Sequence, residues 1–257
     1  MPKPRSLKRL VISMLSTSLA MSANFATETA SAASPDDYPV HGVDTSGHQH
    51  PGNKSIDWVQ VSRSGQKFAV IKATQGSRSV SPWFVRDLAG ARSMRLIHTA
   101  YHYFEHGQGG AAQAQHFLET VRVQKLNGTL PYQLPLVLDV ERQEKGKPAC
   151  GAGPGALASR VLDFLNTVEK ETGVSPTLYS QKSFVNQCMG GTKALGKYRA
   201  WLAHYNPTSP PALPGGTGWS FWQYTDKATV PGIPKAKTDA NVFKGSYADL
   251  KRLANIR

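Results

Sequence analysis

Cysteine is scarce in this chain: its 257 residues hold two, Cys150 and Cys188. No Cys-x-x-Cys occurs, so a zinc knuckle or a dithiol redox motif has no support. In an oxidising compartment the two form one bridge, closing a loop of about 38 residues and adding roughly 3–4 kcal/mol in the loop-entropy view. No Gly-x-Gly-x-x-Gly follows a strand-like run, which speaks against dinucleotide binding. No Gly-x-Ser-x-Gly elbow appears, which speaks against a serine hydrolase of that kind. No apolar stretch approaches the ~18 residues of a membrane-crossing helix. Long runs of Lys or Arg and aromatic-basic RNA-binding motifs are missing as well. Acidic residues are few, 17 against 30 Lys and Arg.

The N-terminus has its own pattern. Lys3, Arg5, Lys8 and Arg9 precede a short apolar run from Leu10 to Ala23, and Ala30-Ser31-Ala32 fits a small-x-small cleavage site. This is the layout of a secretory signal peptide over 1–32, leaving a mature chain over 33–257 that is secreted and extracellular. The leader holds four basic residues and one acidic, so the mature chain keeps 26 against 16, a net charge near +10. Such a charge suits an acidic partner, and outside the cell anionic cell-wall polymers fit better than nucleic acid. A monomer is expected.

From Val40 onward, strand-like runs alternate with helical ones. Strands are predicted near Val40–Asp44, Phe68–Ala73, Leu96–Phe104, Leu134–Glu141, Pro176–Ser180, Arg199–Tyr205, Trp219–Tyr224 and Asp239–Phe243. Helices are predicted from Ile56 with Ser55 as cap, from Ser81-Pro82 to Met94, and over Ala111–Val123, Ala156–Glu171 and Gln181–Met189. The stripe Leu157, Val161, Leu165, Val168 marks the clearest helix, and Gly173 stops it. Pro and Gly crowd Pro207–Gly218 and Val230–Pro234, where little helix fits. The fold class is α/β: a single (β/α) barrel of about eight strands with a helix-poor C-terminal third.

Leu134 to Val140 is an apolar run that ends in two acids, Asp139 and Glu141. Residues two apart on a strand share a face, roughly 6–7 Å from one another. Like charges that close raise the proton affinity of at least one. One neutral and one ionised carboxyl group is what acid-catalysed glycoside cleavage needs. In a parallel barrel, functional groups gather at the C-terminal strand ends. Asp44, Lys72, His102, Phe104, Tyr179, His204, Tyr205, Gln223 and Tyr224 all fall there, and Asp239 lies in the last strand. Tyr101, Tyr103, Tyr179, Trp201, Tyr205, Trp222 and Tyr224 also lie in or at the ends of strands, suited either to stacking on sugar rings or to the barrel core.

Several pieces together carry a resemblance: His41-Gly42-Val43-Asp44-Thr45-Ser46, Ile56-Asp57-Trp58, Phe68-Ala69-Val70-Ile71-Lys72-Ala73-Thr74, Ala100-Tyr101-His102-Tyr103 and Leu138-Asp139-Val140-Glu141. Trp201-Leu202-Ala203, Phe221-Trp222-Gln223-Tyr224-Thr225, Val230-Pro231-Gly232-Ile233 and Asp239-Ala240-Asn241-Val242-Phe243 continue it. In this order they resemble the family-25 glycoside hydrolases, the lysozymes or N-acetylmuramidases. The resemblance implies a flattened (β/α) barrel that hydrolyses the β-1,4 bond between N-acetylmuramic acid and N-acetylglucosamine in peptidoglycan, without metal or organic cofactor. It implies catalytic roles for Asp44, Asp139, Glu141 and Asp239, with Glu141 as general acid. Asp139 is then expected to orient the substrate's 2-acetamido group, though a carboxylate nucleophile or an inverting water stays open. Lys72, Tyr101, Tyr179, Trp201 and Gln223 are expected to bind substrate.

The chain departs from the family pattern at Gln75-Gly76, where Glu-Gly is common, so a charge is lost there. Three other readings compete. In the first, His48 with His50, or His98 with His102, supplies zinc ligands. A non-catalytic sugar-binding module would leave the four acids without purpose, and a chitinase-type barrel shares an acid pair of this kind.

Overall fold

The computed structural model describes Met1 and Gly146 together with residues 33–124, 132–143, 148–206, 208–235 and 237–256. The chain divides into two units, Met1–Ser31 and Ala32–Arg257. The expected signal peptide lies outside the described residues apart from Met1, so the fold described is that of the second unit.

Nine strands and six α-helices are described: β1 (Val40–Thr45), α1 (Trp58–Arg63), β2 (Phe68–Gln75), β3 (Ser79–Val80), α2 (Phe84–Ser93), β4 (Ile97–Tyr103), α3 (Gly110–Val123), β5 (Val137–Asp139), α4 (Pro154–Thr172), β6 (Thr177–Ser180), α5 (Lys182–Cys188), β7 (Arg199–Ala203), β8 (Phe221–Ala228), β9 (Thr238–Phe243) and α6 (Tyr247–Leu253). Eight strands close a ring in the order β1-β2-β4-β5-β6-β7-β8-β9, and β9 returns to β1. The short β3 pairs antiparallel with the end of β2. Neighbours from β1 round to β8 run parallel.

The expected barrel of eight strands is present, and its last strand is the exception to parallel pairing: β9 runs antiparallel to both β8 and β1. The reason is in the connection. Parallel neighbours need a crossover of about a dozen residues or more, and the segment from 229 to 237 has neither that length nor a helix. Sequence reasoning also missed β3 and α6. It put the cap of α1 at Ser55, whereas Asp57 accepts from the amides of Val59 and Gln60. It started α2 two residues early, at Pro82, since the helix begins at Phe84. The strand over Leu134–Glu141 pairs only from Val137 to Asp139.

Two cores follow from the alternation of strand side chains. The outer one lies between sheet and helices, where Leu157, Val161, Phe164, Leu165 and Val168 of α4 join Phe117 and Leu118 of α3. The inner one fills the barrel with Val40, Phe68, Val70, Ile97, Tyr101, Tyr179, Trp201, Phe221 and Phe243. Helix α6 adds Leu250 and Ala254 to it, at the end where β1, β2, β4 and β8 begin. Gly42 is needed inside this floor, because a Cβ there would lie 2.5 Å from the Phe68 ring. The two cysteines form the expected disulfide, Cys150–Cys188, with Cα atoms 5.1 Å apart. It ties the loop after β5 to the end of α5.

Candidate active site

The top of the barrel holds a cavity of about 270 Å³. Its wall contains all the site residues expected from the sequence: Asp44, Lys72, Tyr101, Asp139, Glu141, Tyr179, Trp201, Gln223 and Asp239. Ser46, His48, Tyr103, Arg142 and Tyr205 complete it. Asp44 comes from β1, Lys72 from β2, Asp139 from the last position of β5, and Glu141 from two residues beyond. Asp239 stands near the start of β9. Only because β9 is reversed does its start meet the C-terminal ends of the other strands. The pairing of β2 with β4 shifts register between Lys72 and Thr74, and such a bulge re-aims side chains beside a site.

Alternation decides which strand-end residues reach the cavity. Tyr101 and Tyr103 face inward, whereas His102 between them faces the helices, packed on Phe117 and Phe164. Trp222 is fully buried in the outer core, its indole N–H donating to the His204 carbonyl at 2.7 Å. Phe104 and Tyr224 also belong to that outer layer. Of the aromatics left open between sugar stacking and core, Tyr103 and Tyr205 reach the wall, and Asn241, given no role from the sequence, was legible by period two, two positions from Asp239.

The histidines are not gathered. The ring of His50 meets Asp87 and the Lys54 carbonyl, both at 2.9 Å. That of His98 meets the Leu96 carbonyl, and that of His102 meets Thr74 and Gln113. Of these, His48 alone lines the cavity. A neighbouring cavity of about 430 Å³ shares Tyr205 and is lined by Gln181, Lys182, Asn186 and His204 among others. It is larger but carries no carboxyl group, so the acid chemistry belongs to the smaller one.

A chain of hydrogen bonds organises the floor. The buried Asp44 carboxylate accepts from Asn241 Nδ2 at 2.7 Å and Gln223 Nε2 at 3.0 Å. Asn241 accepts in turn from Trp201 Nε1 at 2.8 Å. The Gln223 oxygen accepts from the hydroxyls of Tyr179 at 2.8 Å and Tyr205 at 2.7 Å. Burial, followed by neighbouring acids, holds both phenols protonated well past their ordinary range, so they remain donors. At the departure from the family pattern, Lys72 Nζ donates to Gln75 Oε1 at 2.7 Å, and Gln75 Nε2 donates to Glu105 Oε1 at 2.7 Å. A carboxylate therefore stands beside Gln75 after all, supplied by Glu105.

The four acids raise one another. Burial, then the charge of Asp239, pushes Glu141 up to about 7, while Lys72 pulls the other way. Burial pushes Asp44 up to about 6, against its two amide donors. Burial and the charge of Asp44 push Asp239 up to about 8. Burial and Glu141 hold Asp139 well above the usual carboxylate range. Asp139 Oδ1 is buried, and among the described residues it has no hydrogen-bond partner.

A closed barrel whose strand ends converge four proton-trading carboxyl groups among tyrosines and a tryptophan has the make-up of a glycosidase. The model of "Glycosyl hydrolases family 25" matches residues 43–233. The chain belongs to that family and is a glycoside hydrolase. It is 31% identical to Lysozyme M1 of Streptomyces globisporus over 235 residues, covering 89% of this chain and 78% of the relative. It is 36% identical to the uncharacterized protein YegX of Escherichia coli strain K12, covering 84% of this chain and 74% of the relative. The crystal structure of the bacterial lysozyme from Streptomyces coelicolor superposes with a TM-score of 0.74 at 31% identity, covering 84% of this chain and 97% of that one.

Proposed function

We propose that the mature chain is a secreted lysozyme that cleaves the β-1,4 bond between N-acetylmuramic acid and N-acetylglucosamine in peptidoglycan glycan strands. The observation that carries this reading is the acid cluster: Asp44, Asp139, Glu141 and Asp239 share one cavity, and burial with the charge of Asp239 pushes Glu141 up to about 7. The names of the relatives support the substrate, since lysozymes and N,O-diacetylmuramidases are among them. The disulfide supports secretion, because such bridges persist in oxidising compartments.

Glu141 donates its proton to the leaving glycosidic oxygen as the C1–O bond breaks. The carbonyl of the muramic 2-acetamido group closes on C1 from the other face. Asp139 Oδ1, a buried acceptor without a partner among the described residues, accepts that amide's N–H. This contact favours ionised Asp139, and the new negative charge tightens the hold of Glu141 on its proton. Substrate thus directs the shared proton to the donor. Water then opens the cyclic intermediate, returning a proton to Glu141 and releasing a reducing muramic acid of retained anomeric form. Asp44, kept ionised by Asn241 and Gln223, offsets the positive charge that develops on the ring.

The test compares the mature protein with Glu141→Gln on purified peptidoglycan, identifying the new reducing-end sugar and its first-formed anomer. N-acetylmuramic acid of β form from the wild type, with at least a roughly hundredfold loss in the variant, is expected. N-acetylglucosamine at the new end, or an α anomer, sinks the substrate or the mechanism respectively. Release from chitin as fast as from peptidoglycan returns the reading to a chitinase.

A further inference from the structure

At the foot of the barrel, opposite the acid cavity, lies a cleft of about 370 Å³ whose walls include Lys197, Tyr198, Arg199, Trp219 and Lys244. Its three cations come from separate segments: Lys197 ends a short 3₁₀ turn, Arg199 opens β7, and Lys244 follows β9. No Asp or Glu lines it. Asp249, on the helix that follows Lys244, is held by Ser246 and Arg252.

Arg199 is the unusual member. It is half-buried, and burial alone pulls its guanidinium below the ordinary range, with no neighbouring acid to offset it. Among the described residues nothing accepts from its side chain. A half-buried guanidinium without a protein acceptor is poorly solvated, and two lysines line the same cleft with no acid on its walls to balance them. An anion seated in the cleft relieves both. The fork of Arg199 suits two oxygens of one phosphate, and the lysines offer point charges on either side.

We propose that this cleft binds a phosphodiester-linked polyanion of the cell wall, such as a polyol-phosphate chain, and so holds the enzyme on its substrate by the end away from the acid cavity. The choice of wall polymer over nucleic acid rests on the lysozyme reading and on the rings. Tyr198 and Trp219 are buried, with Lys197 Nζ at 4.8 Å and Lys244 Nζ at 5.4 Å from their centres, so no free ring faces out for bases to stack upon.

The test uses the whole mature chain carrying Glu141→Gln, so that the wall is not consumed. Binding is measured to sacculi that keep their phosphodiester polymers, to the same sacculi stripped of them by hydrofluoric acid, and to soluble poly(glycerol phosphate). Stripping is expected to weaken binding roughly tenfold or more, and adding Lys197→Gln with Lys244→Gln to weaken poly(glycerol phosphate) binding by a similar factor. Lys54→Gln with Lys170→Gln removes the same charge elsewhere and is expected to cost less than about twofold. An equal loss from that control pair reduces the effect to net charge and overturns the site. So does equal binding to stripped sacculi, or tighter binding of a single-stranded oligonucleotide than of poly(glycerol phosphate). Binding needs no turnover, so a wild-type chain that binds the polymer but releases no sugar from peptidoglycan refutes the lysozyme reading and leaves this site standing.

Discussion

At the scale of single residues, function and stability pull against each other. Glu141 is raised to about 7 and Asp44 to about 6. The donor must be protonated, so kcat/KM falls as pH rises through about 7. Asp44 must be ionised, so kcat/KM falls again below about 6, leaving a bell between the two. Asn241→Ala removes an amide donor from charged Asp44. Losing such a bond costs about 1.5–3 kcal/mol, which lifts the acid limb toward the alkaline one, narrowing the bell and lowering its maximum. An unmoved acid limb would show that another group sets it. Stability runs the other way. A carboxyl group with a raised folded-state pKa binds more protons folded than unfolded, so its favourable contribution is complete below about 4 and is lost as pH rises through the folded value. Glu141→Gln should therefore stabilise the fold at pH 8 by up to about 3 kcal/mol, while removing activity. Melting curves check this, and a gain as large at pH 4 as at pH 8 contradicts it.

At the scale of elements, the barrel floor depends on one missing side chain. A Cβ on Gly42 would press into the Phe68 ring, whose own position is fixed by the inner core. Gly42→Ala is expected to cost about 1–3 kcal/mol, and Phe68→Leu in the same chain to recover part of it. Additive losses in a denaturant titration would show that the two do not meet. Periodicity made most elements legible, because α4 and the inward strand positions repeat cleanly along the chain. It did not make direction legible. The reversal of β9 turns on a nine-residue connection too short for a crossover, a signal of loop length that hydrophobic pattern does not contain. The same limit made His102 and Tyr224 look like site residues. Each is polar or aromatic at a strand end, but on the face that meets the outer core.

At the scale of the whole molecule, residues far apart in sequence are held in one network that no local pattern announces. Asp44 reaches Asn241 and Gln223 across nearly the full chain, and this closure of β1 on β9 keeps Asp44 and Asp239 in one cavity. A second long-range tie runs under Glu141. The buried His106 ring meets the backbone oxygen of Glu141 at 2.9 Å through Nε2 and that of Cys150 at 2.8 Å through Nδ1. The Cys150–Cys188 bridge thus anchors the segment that carries Glu141, besides closing a loop with a sequence separation of 38. Replacing both cysteines by serine is expected to cost roughly 3–4 kcal/mol, a fall in melting temperature of about 6–16 °C for a chain of this size. Because the freed segment holds the acid rather than the aromatic wall, kcat should fall more than KM rises at a temperature where both forms are folded. His106→Gln, with the bridge intact, should reproduce the kinetic change with a smaller loss of stability. A cysteine-free variant with unchanged kcat would confine the bridge to stability and remove it from the positioning of Glu141.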